Sequence, residues 1–433
     1  MFLLRLILVT VSISIALTSA TDSFAQDAPV KIIQPAAGAK LSGKTEICVE
    51  LTGVKFESMY VGFGGVPWTK LEQVDDSARW TATADTTMVP NGEHSLIVVT
   101  TNKKIGARVN VSIDNPLDIF WADLHSHTSY SDGTSLPVEA HRYARSVSGL
   151  DVFSLSDHLE SVDDAEWCDT REVAWKANED GRFVAIPGLE WTKRVGHINL
   201  IDPKTRHWPN DLAGFYAAIA KADVIAKFNH PGDGTRSHEG LKYSAEGDRA
   251  IQLMEVRSPE EEKAYIRALN AGWHIAAEGS DDTHSANWGN VSTWTGILAP
   301  GLSKRNILDA LKNRRCYSSR DRNCRLKFSI NGHPMGTIVK EPIKEVKCEI
   351  SLVDWDKGEG DRFAKIEYFR DGEIFLTNDL SGAPLGMLDH NGWHLDQKVK
   401  PGKHYYFVKV TQRDGNMLWS APIWVTVVAD DKE

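Results

Sequence analysis

The chain has 433 residues and a formal net charge of −10, from 49 basic and 59 acidic side chains. This length exceeds one ordinary hydrophobic core and predicts two or three domains. The acidic balance argues against nucleic acid or an anionic membrane surface as the partner, because both require a cationic protein surface.

The beginning of the chain, residues 1–25, has the pattern of a secretory signal peptide. Arg5 precedes an apolar run from Leu6 to Leu17, and Ser23-Phe24-Ala25 fits cleavage before Gln26. The run is shorter than the roughly 20 residues that span a bilayer, so we expect no stable membrane anchor after cleavage. The sequence therefore predicts a periplasmic or secreted protein.

Short alternating polar and apolar runs occupy residues 26–115, with turn signals such as Pro90-Asn91-Gly92 between them. This pattern is typical of an immunoglobulin-like β-sandwich. Residues 323–433 return to the same alternation, for example in Tyr405–Val410 and Ile423–Val428, and predict a second β-sandwich.

Between these two segments, over residues 116–322, apolar runs alternate with helical patterns. This rhythm is the signal for βα units around a parallel sheet or barrel. The predicted strands are 118–124, 151–155, 183–186, 197–201, 224–228, 251–254 and 274–277. The predicted helices are 136–147, 164–179, 209–221, 259–271 and 303–314. This number of strands favours a closed barrel over an open sheet.

Side chains suited to metal binding follow the predicted strands. His125 and His127 end the first strand and point to one side of an extended chain, and the turn at Gly133 returns Asp132 towards them. In α/β barrels such strand ends converge on one face, where active sites form. The other candidates at strand ends are Asp157, His158, Glu190, His197, His230, Asp282 and His284. This set is too large for one ion and predicts two or three divalent metals, with zinc, manganese or iron all compatible.

A single histidine after a strand is more often a capped or core residue than a ligand. Six of the 15 histidines at strand ends of one region are hard to explain as independent accidents. Histidines that do not follow a predicted strand are interpreted as capped or core residues. Among them are His141, His207, His238 and His274.

Five motifs resemble, in content and order, those of the PHP (polymerase and histidinol phosphatase) metallohydrolases: His125-x-His127-x4-Asp132-Gly133, Asp157-His158, Gly188-x-Glu190, Asn229-His230-Pro231 and Gly279–His284. The arrangement is most similar to the exported branch that includes carbaryl-type hydrolases. The resemblance covers the whole central region. It implies a multidomain chain of α/β and all-β parts, in which a distorted (β/α)7 barrel with a trinuclear site is flanked by N- and C-terminal β-sandwiches.

Carried over residue by residue, the resemblance implies a ligand set for each ion. These are His125, His127, Glu190 and Asp282 for the first metal, Glu190, His197 and His230 for the second, and Asp132, His158 and His284 for the third. Asp157 and Asp282 would serve catalysis, Asp157 by orienting a ligand. The family usually has one Asp before x-His, whereas this chain has Asp281-Asp282, and the spacing selects Asp282.

The sequence predicts a hydrolase that uses a metal-activated hydroxide on a small, anionic substrate, with phosphate mono- or diesters first. Lys193, Arg194, Arg236 and Arg257 lie just beyond strands and could bind phosphate oxygens, although each could equally be a solvated surface charge. Hydrolysis of a carbamate, amide or carboxylic ester at the same site is an alternative. A non-catalytic exported binding protein is another.

Overall fold

The computed structural model describes residues 29–63, 69–101, 104–232, 238–354, 358–382 and 389–429. Strands predominate over helices along these ranges. The expected signal peptide lies outside the described residues. None of the described helices has both the length and the apolar character needed to cross a bilayer.

The N-terminal segment forms two sheets around one core. Its strands are β1 (Val30–Gln34), β2 (Lys40–Leu41), β3 (Lys44–Leu51), β4 (Met59–Phe63), β5 (Thr69–Lys70), β6 (Glu72–Gln73), β7 (Arg79–Asp85), β8 (Gly92–Thr100) and β9 (Ile105–Ile113). One sheet has the order β1-β3-β7-β6 and the other β2-β9-β8-β4-β5. Side chains alternate between core and solvent, as in β3, where Ile47 and Val49 are buried and Glu46 is exposed.

The central segment alternates strands and helices. These are β10 (Asp118–Asp123), α1 (Pro137–Ser146), β11 (Val152–Ser154), α2 (Asp164–Ala177), β12 (Val184–Ile186), β13 (Gly188–Lys193), β14 (Gly196–Ile201), α3 (Leu212–Ala222), β15 (Ile225–Phe228), α4 (His238–Leu241), α5 (Ala245–Ala250), β16 (Ile251–Glu255), α6 (Pro259–Ala271), β17 (Ala276–Glu278), β18 (Trp294–Ala299), α7 (Lys304–Lys312) and β19 (Cys316–Ser319). Helix α6 shows how local sequence sets the boundaries. Ser258 caps its first turn, Pro259 occupies the first position, and Gly272 ends it with a φ of 109°.

The prediction of a distorted (β/α)7 barrel was wrong. In the ranges that the structure describes, the central strands lie in two open, mixed sheets. The strands β12-β11-β10-β18-β19 begin a ten-stranded sheet, and β13-β14-β15-β16-β17 form a five-stranded one. Pro187, which has no N–H to donate, separates β12 from β13, and β13 then forms an antiparallel hairpin with β14. Antiparallel β18 occupies the edge of β10 that would otherwise close a barrel.

The C-terminal segment continues the ten-stranded sheet of the central segment. Its strands are β20 (Arg325–Ile330), β21 (His333–Pro334), β22 (Lys347–Val353), β23 (Phe363–Arg370), β24 (Glu373–Asp379), β25 (Asp389–Leu395), β26 (Gly402–Gln412), β27 (Met417–Ser420) and β28 (Ile423–Val427). Strand β27 pairs with β19, so the sheet runs on through β26, β23 and β24. A second sheet, β21-β20-β22-β25, shares its core, where Leu352 and Tyr368 are both buried.

Candidate metal centre

Loops at the carboxyl ends of strands from both central sheets are joined by backbone hydrogen bonds. After β10, His127 N–H donates to the Thr283 carbonyl at 2.8 Å, and Thr283 N–H donates to the His125 carbonyl at 3.3 Å. After β11, the Asp157 carbonyl accepts from Glu190 N–H of β13 at 3.0 Å. These bonds bring together ligand-type residues that are far apart in the sequence.

Nine side chains form three neighbouring groups, two of which share His127, and within each group the ligand atoms lie within 4.8 Å of one another. We call them the inner group (His125, His127 and Asp282), the middle group (Glu190, His197 and His230) and the outer group (His127, Asp132, His158 and His284). These are the nine residues that the sequence singled out as metal ligands. The structure therefore brings every one of them into one cluster.

Glu190 of the middle group contacts a histidine in each of the three groups. Its Oε1 is 3.2 Å from His125 Nε2 and 3.2 Å from His197 Nδ1, and its Oε2 is 2.7 Å from His158 Nδ1. Exposure rises outward across the cluster. The side chain of Glu190 is 1% exposed, whereas those of His284 and Asp132 are 36% and 59% exposed. The outer group is thus the side of the cluster that faces solvent.

The inner and middle groups contain buried polar atoms that lack hydrogen-bond partners in the part of the chain that the structure describes. Among the described residues, His125 Nε2, His127 Nε2, His197 Nδ1 and Asp282 Oδ1 are buried without a hydrogen-bond partner. Asp282 Oδ1 lies 3.1 Å from His125 Nε2 and 2.9 Å from His127 Nε2, but the angles are not those of hydrogen bonds. Buried polar atoms are rarely left without partners. Imidazole nitrogens and carboxylate oxygens aimed at one another fit a divalent cation between them.

The electrostatics of the cluster favour cations. Burial would lower the pKa of His125, but the carboxylates of Asp282, Glu255 and Glu190 outweigh it and raise the pKa to about 10. Burial acts to raise the pKa of Asp282 and Glu190, yet neighbouring imidazoles, His125 foremost, hold both below the ordinary carboxyl value. The carboxylates are therefore ionised and concentrate negative charge around the histidines.

Two ligand positions have a strained backbone. His230 has a φ of 28° and Asp282 a φ of 56°, in a region that side-chain-bearing residues rarely adopt. Such strain persists where the surrounding structure enforces it, often at functional sites. The neighbouring Asp281 accepts hydrogen bonds from Ser292 N–H at 2.6 Å and from Ser292 Oγ at 2.8 Å. Asp282 is thus the carboxylate that faces the histidines.

Asp157 supports the ligand loop after β10. Its Oδ1 accepts from Thr128 N–H at 2.7 Å and from Ser131 Oγ at 2.7 Å, and Ser131 Oγ lies 3.2 Å from His127 Nδ1. This chain of contacts restricts the rotation of the His127 ring. Asp157 therefore contacts this loop and is not a member of the three groups.

The basic residues expected to bind phosphate are largely engaged elsewhere. Lys193 Nζ lies 2.6 Å from Glu160 Oε1, and the Arg257 guanidinium binds Glu261 at 2.7 Å and the Ser280 carbonyl at 3.3 Å. Arg194 is exposed. Arg236 lies outside the described residues.

Sequence reasoning missed the charged residues behind the ligands. Lys227, Glu255 and Glu278 are fully buried on β15, β16 and β17, and Glu255 contacts His125. The signal was present in the sequence, because a lysine interrupts the otherwise apolar run Ile225–Phe228. Asn229 is a further contact, donating from Nδ2 to Glu190 Oε1 at 2.6 Å.

Comparison with known proteins gives distant relatives. No family model matches the chain. An uncharacterised protein of Chlamydia pneumoniae is 22% identical over 375 residues, and one of Chlamydia trachomatis is 26% identical over 357 residues. The alignments cover 74% and 71% of this chain but 59% and 57% of the relatives, so the chain spans less than two thirds of their length.

Solved structures add no functional assignment. An endo-beta-1,4-mannanase from Thermotoga petrophila matches with a TM-score of 0.19 and 18% identity, over 22% of this chain and 21% of that one. Fibronectin(III)-like modules of Clostridium thermocellum match with a TM-score of 0.14 and 8% identity, over 93% and 96% of the two chains. Neither similarity is high enough to carry an argument about fold or activity.

Proposed function

We propose that this protein is a metal-dependent hydrolase whose site holds two or three divalent ions, with zinc, manganese or iron compatible with its ligands. One observation carries the proposal. Nine histidine, aspartate and glutamate side chains form three neighbouring groups, and within each group the ligand atoms lie within 4.8 Å of one another. The resemblance of the five sequence motifs to those of PHP-type metallohydrolases supports the same assignment.

The three groups would hold ions at different depths below the surface. The inner and middle groups would hold the most buried ions, with Glu190 between them, and the outer group would hold an ion near solvent. When bound, divalent ions make water acidic enough to ionise near neutral pH and neutralise charge on the substrate oxygen. Asp157 keeps His127 oriented through Ser131. The strained backbone at Asp282 directs its carboxylate into the inner group.

Phosphate-ester hydrolysis is the first choice of reaction. Several adjacent cations suit an anionic group, and phosphoryl oxygens can contact more than one of them. The outer group is open to solvent at Asp132 and His284. A substrate therefore has access to the cluster without a large rearrangement of the chain.

Hydrolysis of a carbamate, amide or carboxylic ester is the second candidate, and one observation favours it. The charges of Lys193 and Arg257 are neutralised by Glu160 and Glu261. Neither cation is therefore available to a phosphate group unless its carboxylate partner is displaced. A neutral substrate requires no such displacement.

A comparison of two substrates tests both candidates. Protein loaded with zinc or manganese is assayed on p-nitrophenyl phosphate and on an aryl carbamate, beside chelator-treated protein. We expect metal-dependent turnover, faster on the phosphate ester, and its loss in Glu190→Gln because Glu190 lies between the groups. Glu367→Gln is the control, since Glu367 pairs with Lys365 at 2.9 Å in the C-terminal segment.

Faster turnover of the carbamate than of the phosphate ester would favour the second candidate, hydrolysis of a carbamate, amide or carboxylic ester. Metal-loaded protein that turns over neither these substrates nor a panel of mono- and diesters would contradict the proposal and favour a binding role. Near-normal rates in Glu190→Gln would contradict the assignment of the site.

A further inference from the structure

Three fully buried charged residues lie side by side beneath the candidate metal centre. Lys227, Glu255 and Glu278 come from the adjacent parallel strands β15, β16 and β17, and each side chain is 0% exposed. Lys227 Nζ is 2.7 Å from Glu255 Oε1 and also contacts Glu278 Oε1. Burying an ion costs several kcal/mol unless it is paired and hydrogen-bonded, and apolar residues would fill a sheet interior at less cost.

Glu255 joins this cluster to the ligands. Its Oε1 lies 2.6 Å from His125 Nδ1, and its Oε2 accepts a hydrogen bond from the backbone N–H of His230. One carboxylate therefore contacts a residue of the inner group and a residue of the middle group. The contact with His125 uses the ring nitrogen opposite the one that faces Asp282.

Glu278 connects the three buried charged residues to the loop that carries Asp282, the third member of the inner group. Its Oε2 accepts from Ser280 Oγ and from Thr295 Oγ1, each at 2.9 Å. Ser280 precedes Asp282 by two residues, and its Oγ also accepts from Leu124 N–H at 3.1 Å. The three buried charged residues are thus linked by hydrogen bonds to the loops that carry His125 and Asp282.

We propose that Glu255, held in place by Lys227 and Glu278, is the positioning residue of the inner metal position. Glu255 accepts a hydrogen bond from His125 Nδ1–H, which assigns cation binding to Nε2, the ring nitrogen that faces Asp282 and Glu190. A histidine ligand needs this arrangement, because only the unprotonated ring nitrogen can bind a cation. The inference rests on the proposed metal-dependent function and adds residues to its site.

Lys227 has a distinct part in this arrangement. Without its charge, Glu278 would lose its ion pair with Lys227, and Glu255 would keep only the longer contact with Arg257 at 3.7 Å beside its contact with His125. Like charges in a buried position repel strongly, and one of the two side chains would have to move. Lys227 therefore fixes the position of Glu255, while Glu255 fixes the ring of His125.

The test is a zinc titration of chelator-treated protein against a chromophoric competitor, with Glu255→Gln compared with Glu262→Gln. Glu262 is a matched control, since it is also a largely buried carboxylate paired with a lysine. Its Oε2 lies 2.8 Å from Lys409 Nζ, and this pair is not part of the candidate metal centre. A glutamine at position 255 would present N–H groups to Lys227 or to the His230 N–H. We expect affinity for the tightest ion to fall by about 10–100-fold in Glu255→Gln only.

A cobalt-loaded sample gives a second signature. Its visible absorption reports ligand geometry, so we expect the spectrum to change in Glu255→Gln and to stay unchanged in Glu262→Gln. Melting temperatures of the metal-free variants distinguish lost positioning from lost folding. If Glu255→Gln does not fold, Glu278→Gln replaces it, because that variant keeps the Lys227–Glu255 pair, and we expect a smaller loss of affinity that still exceeds the control.

The outcomes separate this inference from the proposed function. Wild-type protein that binds no divalent ion overturns both. Wild-type protein that binds ions tightly, with Glu255→Gln equal to Glu262→Gln in affinity and spectrum, overturns the positioning role of Glu255 and leaves the hydrolase proposal standing.

Discussion

Individual buried residues set the acid sensitivity of this protein as well as its candidate chemistry. His141 on α1 is 1% exposed, and neither ring nitrogen has a hydrogen-bond partner among the described residues. Its ring packs edge-on against Phe153 at 5.3 Å and Phe183 at 6.4 Å. Burial lowers the pKa of His141 to about 3, because no neighbour stabilises the charged ring.

This pKa predicts a loss of stability in acid. Below the unfolded-state pKa of 6.5 the unfolded chain takes up a proton that native His141 refuses, so stability falls as the pH drops from 6.5 towards 3. Replacing His141 with Leu removes this effect. We expect the free energy of unfolding of His141→Leu, relative to wild type, to rise by about 2 kcal/mol between about pH 7 and pH 5.

Denaturant titrations of both proteins in the presence of chelator measure this difference, since every other titratable side chain is the same in the two proteins. A difference in unfolding free energy that does not change with pH would contradict the assignment.

At the residue scale the sequence identified the clustered histidines and carboxylates more readily than the charged residues behind them. Histidines and carboxylates at strand ends stand out against apolar strands, so the nine ligand candidates could be chosen from the sequence. Glu255 and Glu278 end strands too, but their partner Lys227 is brought to them only by the pairing of β15, β16 and β17. Contacts of that range depend on strand neighbours, which periodicity does not determine.

Elements of the central segment deliver the ligands through short, tightly packed loops. In the loop after β10, Gly133 N–H donates to the Thr128 carbonyl at 3.0 Å. A Cβ at Gly133 would lie 2.6 Å from the carbonyl carbon of His127 and 2.8 Å from Thr128 N. The backbone is therefore too close for any side chain at position 133.

The substitution Gly133→Ala should displace the loop that carries Asp132 and His127. We expect at least one metal position to bind about tenfold more weakly, because relieving such a clash typically costs about 1–3 kcal/mol. The matched control is Gly301→Ala, whose Cβ would make an ordinary contact at 3.6 Å with Asn306. Zinc titration of the two variants gives the comparison, and equal affinities would show that the loop geometry does not matter.

The positions of helices and strands along the chain could be predicted from periodicity and capping residues. Which strands pair with each other could not be predicted in this way. The predicted helix 259–271 coincides with α6, because Ser258, Pro259 and Gly272 define both of its ends. The apolar runs were placed correctly along the chain, but the barrel prediction was wrong about how the strands pair. It assumed that successive strands pair in parallel, but β13 and β14 form an antiparallel hairpin and β18 pairs antiparallel with β10.

At the scale of the whole molecule, the candidate centre lies where two open sheets meet. Parallel bridges between Ser126 and Thr283, and between His158 and Glu190, join the ligand loops. The ten-stranded sheet also continues through β19 and β27 into the C-terminal segment. Trp419 Nε1 and Lys409 Nζ contact Glu262 of α6 at 2.5 and 2.8 Å, so the C-terminal segment supports the central one.

The central claim is that this cluster binds divalent ions together. The most direct measurement is the metal content per chain of wild type and Glu190→Gln, by elemental analysis after loading and exhaustive dialysis. We expect two or three retained ions in wild type and a loss of at least one in the variant, with the fold unchanged by circular dichroism. Less than one ion per chain in wild type, or the same content in both proteins, would contradict the account.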